Sequence, residues 1–173
     1  MQGIYGLNPN AILTDFVIEN NLICVDHSNA VCLGRVVVNC RIINNTIIQR
    51  PDFNPVTNIR NPRIWAINND SSGGGPNCII RNNIIHNSTE PVKLEGVNSN
   101  WSIDHNIHGI SLPDGYNNLF KSFTKNSIDC HLKSTATSVV DKGNNKDAPV
   151  MDLDGNIRTG IVDIGCYEYN STE

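Results

Sequence analysis

FVIENNLI (Phe16 to Ile23), CRIINNTI (Cys40 to Ile47), CIIRNNII (Cys78 to Ile85) and WSIDHNIH (Trp101 to His108) align without a gap. Their shared asparagine falls at Asn21, Asn45, Asn83 and Asn106, at intervals of 24, 38 and 23 residues. The middle interval reads as one repeat plus an insertion of about 14 residues, the kind of internal period that has to be found before any fold is assigned. The third residue before the asparagine is Ile18, Ile42, Ile80 and Ile103, and the fifth is Phe16, Cys40, Cys78 and Trp101. Both positions are apolar in every copy. The positions between and after them (Val17, Arg41, Ile79, Ser102; Glu19, Ile43, Arg81, Asp104) hold most of the polar residues. That alternation has the period of a strand, not of a helix.

Short β-branched strands repeating without helices are best satisfied when each repeat forms one coil laid on the next, with parallel strands about 4.8 Å apart. Like side chains then stack. Each isoleucine in the aligned column contributes about 1.5 to 3 kcal/mol on burial. The asparagine column is expected to turn inward at a sharp bend, its amides bonding main chain and their neighbours above and below. Each such bond contributes about 1 kcal/mol net, and an unpaired buried amide costs more. Asn21, Asn45, Asn83 and Asn106 are therefore assigned as a structural ladder. A leucine-rich repeat has a comparable period, but its L-x-x-L-x-L-x-x-N pattern is missing.

A second strand per coil is expected at Val31-Cys32-Leu33, Ile64-Trp65-Ala66, Val92-Lys93-Leu94 and Ile110-Ser111-Leu112, which gives an outward column of Cys32, Trp65, Lys93 and Ser111. Residues 109 to 128 leave the repeat, and Pro113-Asp114-Gly115 followed by Tyr116, Phe120 and Phe123 suggests closure of the stack. Coils over 1–128 and a capping segment over 129–173 make one domain. At the other end no amphipathic helix covers the first coil, so missing N-terminal coils or a covering partner are expected.

The remaining composition narrows the classes. The chain has 173 residues, with 13 Lys plus Arg against 17 Asp plus Glu, a net charge of −4. It offers no basic face for nucleic acid. No stretch approaches the roughly 20 apolar residues of a membrane span, and Met1 to Gly6 lacks the regions of a signal peptide. The six cysteines contain no C-x-x-C pair and are expected as buried thiols.

The tail segments Asp129-Cys-His-Leu-Lys-Ser134, Ser138-Val-Val-Asp-Lys-Gly143, Asp152-Leu-Asp-Gly-Asn-Ile-Arg158 and Val162-Asp-Ile-Gly-Cys-Tyr-Glu-Tyr169 resemble the closing segment of bacterial choice-of-anchor Q proteins. With the repeats, the resemblance covers residues 4 to 169. Thr137, Val139 and Cys166 depart from that pattern, where Pro, Ala and Ala are common. The resemblance implies an all-β, right-handed, single-stranded parallel β-helix of the pectate lyase-like superfamily, with about four to five coils at this period and a C-terminal capping segment. It further implies a secreted or cell-surface location and a polysaccharide partner. A shared fold does not carry a shared reaction.

In enzymes of that superfamily the substrate lies across the outer face of one parallel sheet. Here the insertion RPDFNPVTNIRNP (Arg50 to Pro62) and the loop NNDSSGGGPN (Asn68 to Asn77) flank the strand carrying Trp65. Long loops on an economical coil are commonly functional. Trp65 and Arg60 are the candidate substrate-binding residues, the indole for stacking and the cation for a uronate carboxylate. Lys93, Arg63, Glu95 and Asp70 are the candidate catalytic residues. Elimination needs a cation and a base, which Lys93 or Arg63 supplies. Hydrolysis needs two carboxyl groups about 5 to 9.5 Å apart, for which Glu95 and Asp70 are the local pair.

Asp152-x-Asp154-Gly155-Asn156 has part of a calcium loop but no Glu at the required downstream place, so calcium is the one cofactor considered, against an ordinary Asp-Gly turn. His105 and His108, three apart on a strand, should face opposite sides. Asp163 and Glu168 are expected to pair with Arg158. Three functions fit: a polysaccharide lyase or glycoside hydrolase or its C-terminal fragment, a non-catalytic glycan-binding module, and a structural or adhesion scaffold from a larger surface protein.

Overall fold

The aligned repeats fold as parallel strands. The computed structural model describes residues 4–6, 12–25, 29–33, 36–50, 62–68, 77–86, 88, 90–96, 101–109 and 116–171. Strands β1 (Ile4–Gly6), β5 (Val31–Leu33), β9 (Ile64–Asn68) and β12 (Val92–Gly96) form one parallel sheet in that order. Strands β3 (Val17–Glu19), β7 (Arg41–Ile43), β10 (Ile79–Arg81) and β13 (Ser102–Asp104) form a second. A third holds β4 (Leu22–Val25), β8 (Thr46–Gln49), β11 (Ile84–His86) and β14 (Ile107–Gly109), and β2 (Ile12–Thr14) pairs with β6 (Val36–Val38). The chain visits these sheets in a fixed order and returns to each one. An antiparallel hairpin of β15 (Phe120–Thr124) and β16 (Ser127–Leu132) follows a single helical turn, α1 (Tyr116–Leu119).

Register follows the repeat. Ile18, Ile42, Ile80 and Ile103 are direct neighbours across β3, β7, β10 and β13. Ile18, Ile42 and Ile80 lead an inner core that also takes in Ile47, Ile85, Leu33, Ile64, Cys40 and Cys78, whereas Ile103 on the last of these strands is 43% exposed. The asparagine ladder forms as expected. Asn21 donates from its main-chain N–H (3.1 Å) and its Nδ2 (3.0 Å) to Oδ1 of Asn45. Asn45 does the same to Asn83, and Asn83 to Asn106.

The first residue of each doublet makes the bend. Asn20, Asn44, Asn82 and His105 have φ of 52°, 53°, 56° and 51°, a left-handed conformation that Asn tolerates better than most residues. A second bend uses Asp15, Asn39 and Asn77, with φ of 55°, 53° and 64°. There Asn39 Nδ2 donates to Asp15 Oδ1 at 3.2 Å, and Asn77 Nδ2 to Asn39 Oδ1 at 3.3 Å.

A second core lies apart from the first. Leu22, Cys24, Ile48, Ile84 and Ile107, from the third sheet, pack against Leu119, Phe120, Cys130, Leu132, Ile164 and Cys166 of the hairpin and tail. The tail runs across successive bends. Asn82 Nδ2 donates to Asn144 O (2.9 Å), Asn44 Nδ2 to Asp163 O (2.9 Å) and Gly165 O (3.1 Å), and Arg158 to Asn20 Oδ1 (3.0 Å). Gly165, at φ 104°, passes so close that a Cβ would lie 2.7 Å from Ile84 Cδ1 and 2.8 Å from Thr46 Oγ1. The polar alternate face read from the repeats is consequently covered in part, with Val17 and Glu19 left exposed. Ile43 is buried, and Arg81 is enclosed by Asp104, Asp147 and the Lys146 carbonyl.

All six cysteines are free thiols, five of them buried. Burial pushes the Cys40 thiol up to about 12, so it behaves as a small apolar side chain. No helix among the described residues is long and apolar enough to cross a membrane.

Candidate functional site

Cys32, Trp65 and Lys93 are in register on β5, β9 and β12. This is the outward column expected from the sequence, although Cys32 is buried, at 1% exposure. Its thiol is pushed up by burial, with Arg63 acting against that shift and Glu95 adding to it. Ser111 lies outside the described residues, as do Asp70, Arg60 and most of the two flanking loops.

Four of the six candidate site residues are therefore placed, and they converge. The Arg63 guanidinium carbon lies 5.3 Å from the Trp65 ring centroid and Lys93 Nζ 5.7 Å from it. Arg63 Nε donates to Asn29 Oδ1 at 2.6 Å, and Arg63 is ion-paired with Glu90 at 2.9 Å. Lys93 is ion-paired with Glu95 at 2.8 Å. The indole Nε1 of Trp65 is buried with no hydrogen-bond acceptor among the described residues. An indole face held beside two cations is equipped to meet a group that brings negative charge together with a ring face. Glu90, which carries half of the cation pairing, was missed by the sequence reading. It sits three residues before Lys93, and only the alignment of β9 with β12 brings it to Arg63.

The other sequence candidates resolve differently. Asp152 is a turn organiser. Its Oδ1 accepts from the main-chain N–H of Asp154 (3.0 Å) and Asn156 (2.8 Å), and its Oδ2 from that of Glu168 (3.0 Å). Arg158 pairs with Glu168 at 2.7 Å as expected. Asp163 instead accepts main-chain N–H groups from Asp141 and Tyr169. Its carboxyl pKa is raised by burial, which those bonds only partly oppose. His105 and His108 do not face opposite sides: the bend at His105 intervenes, and both line one cleft of about 260 Å³ beside β13 and β14. His105 Nδ1 is engaged by Asp104 at 2.6 Å. No group of three or more His, Cys, Asp or Glu placed to hold a metal occurs among the described residues.

One charged cluster went unread. His131 on β16 is bonded through Nδ1 to Asp129 and through Nε2 to Asp154 at 2.6 Å, and its ring stacks on Tyr167 at 4.1 Å. Burial lowers the basicity of His131, but its bonds to Asp154 and Asp129 outweigh that and hold its pKa above the ordinary value. With both nitrogens engaged, the ring ties hairpin to tail. The Asp-x-His spacing on a strand places both side chains on one face, which is the signal that would have found the pair.

Comparison with protein-family models, with curated proteins and with solved structures finds no match to the chain.

Proposed function

We propose that this chain is a right-handed parallel β-helix module of the choice-of-anchor Q type, secreted or at the cell surface, that binds an acidic polysaccharide across the outer face of β5, β9 and β12. Right-handed winding accords with the hand that parallel β crossovers take almost without exception. The observation that carries the binding assignment is the grouping of Arg63 and Lys93 around Trp65. A uronate presents a carboxylate to the cations and a ring face and hydroxyls to the indole. Glu90 and Glu95 hold those cations through exposed ion pairs, which contribute about 0 to 1 kcal/mol each, so a ligand carboxylate displaces them at little cost.

Binding is favoured over turnover. Lys93 is engaged by Glu95 at 2.8 Å, an arrangement that suits a fixed positive charge rather than a base. The test is saturable binding of acidic oligosaccharides with and without calcium, followed by mass spectrometry of the mixture. Retained oligosaccharide with binding lost in Trp65→Ala supports the module. Unsaturated fragments would replace it with a lyase, and water-added fragments with a hydrolase. The scaffold alternative is favoured by one observation, that Arg63 and Lys93 already have acidic partners within the chain. It calls for no glycan affinity at all.

A further inference from the structure

The tail contains a short hairpin that is inside out. Residues 150–152 run antiparallel to 156–158: Asp152 N–H donates to Asn156 O and Arg158 N–H to Val150 O, both at 2.9 Å, and Met151 lies opposite Ile157. Alternation puts Asp152 and Arg158 on one face and Met151, Leu153 and Ile157 on the other. A hairpin lying on a protein normally buries its apolar face. Here the polar face is the buried one. Asp152 accepts three main-chain N–H groups, and Arg158 reaches Glu168, Gly165 O and Asn20. Val150, Met151, Leu153, Ile157 and Ile161 are left 42% to 73% exposed, and they make up more than half of the large apolar side chains exposed among the described residues. Buried hydrogen bonds and an ion pair thus hold this face outward.

The hairpin is seated on the first repeat, where Asn20 Nδ2 donates to Met151 O and Arg158 donates to Asn20 Oδ1. Val17, three residues before Asn20 on the edge strand β3, is exposed as well. The six side chains present on the order of 600 Å² of surface, the upper end for an apolar patch on a monomer. A standard interface takes about 800 Å² from each partner, roughly two thirds of it apolar in homodimers. The area therefore fits a second copy. A face without a charged side chain is also complementary to itself, so two-fold pairing needs no matching of charges. A lipid surface would call for basic residues beside the apolar ones, but the one cation in residues 147–161 is Arg158, which is buried and paired.

We infer that the apolar face of the 150–158 hairpin, together with Val17 and Ile161, is a contact surface for a second copy of this chain, which packs the same face on it about a two-fold axis. The surface is distinct from the Trp65 face, and the inference stands whether or not that face binds glycan.

The experiment is sedimentation velocity of the 173-residue chain over a wide concentration range, repeated for Ile157→Lys and Ile161→Ser, with circular dichroism of each variant and flotation on phosphatidylcholine vesicles. The expected result is a monomer–dimer equilibrium whose dissociation constant rises about a hundredfold in Ile157→Lys and about tenfold in Ile161→Ser, because each substitution enters a two-fold interface twice. Ile161 lies outside the paired residues of the hairpin, so its variant decides the matter if Ile157→Lys alters the circular dichroism. A monomer at every concentration, a dimer that both substitutions leave intact, or a monomer that floats with the vesicles overturns the inference, the last in favour of a lipid surface.

Discussion

Asn45 donates both its main-chain N–H and its side-chain Nδ2 to a single oxygen, Oδ1 of Asn83, each at 3.0 Å. Both residues are fully buried, and each also donates to main-chain carbonyls, Asn45 to Ile18 O (3.0 Å) and Asn83 to Ile42 O (2.9 Å). The pair therefore ties two repeats together at the point where each one turns. Asn83→Ala leaves donors of Asn45 and the Ile42 carbonyl unmatched in the core. The expected loss of stability is on the order of 3 kcal/mol, read in urea denaturation as a lower midpoint with an unchanged slope.

Asn82 separates backbone strain from side-chain bonding. Its φ is 56°, and its side chain joins Asn44 Oδ1 (3.1 Å) and Asn144 (2.9 Å to the carbonyl, 2.9 Å from the N–H). Asn82→Gly and Asn82→Ala both lose these bonds, but only Ala has a Cβ that resists this conformation. The alanine variant is expected to be less stable than the glycine variant by about 1 kcal/mol, measured by the same denaturation.

Gly165 should tolerate no side chain. Its φ of 104° and the 2.7 Å approach of an added Cβ to Ile84 Cδ1 act in the same direction, so Gly165→Ala is expected to cost about 3 kcal/mol. Proteolysis should then cut the tail before the parallel strands, since the tail's close seat against Thr46 and Ile84 is what the substitution disturbs.

Two histidines set opposite pH dependences. Burial lowers the His86 pKa to about 4. The unfolded chain therefore takes up the proton first, and stability from this group declines as pH falls from about 6.5 to about 4. His131 has a raised pKa, so its contribution is complete below its unfolded value and is lost as pH rises through the folded one. His131→Gln should accordingly destabilise the protein more in mildly acidic than in mildly alkaline solution. A destabilisation that does not change with pH would contradict the paired-carboxylate account of His131.

The parallel strands were legible in the sequence because each repeat keeps its own short-range order: Ile18, Ile42 and Ile80, the second asparagine and the outward Trp65 and Lys93 all lie where alternation puts them. What packs outside these strands was not legible. The apolar outer face of Leu22, Ile48, Ile84 and Ile107 can be recognised only once the hairpin and tail that cover it are known, because inner and outer apolar residues are equally apolar. The bend was attributed to the inward asparagine alone. The left-handed residue is its predecessor, which the recurring doublets recorded. At the candidate site, the column was legible from spacing. The Glu90–Arg63 pair was not, since it depends on which strand lies beside which.

The most direct measurement is a fluorescence titration of Trp101→Phe, which leaves Trp65 as the one indole of the two in the chain, with an acidic oligosaccharide. A saturable change in Trp65 emission that disappears in Arg63→Ala and Lys93→Ala is the outcome expected of an acidic-glycan face. A flat titration, or a response that survives both substitutions, would contradict it.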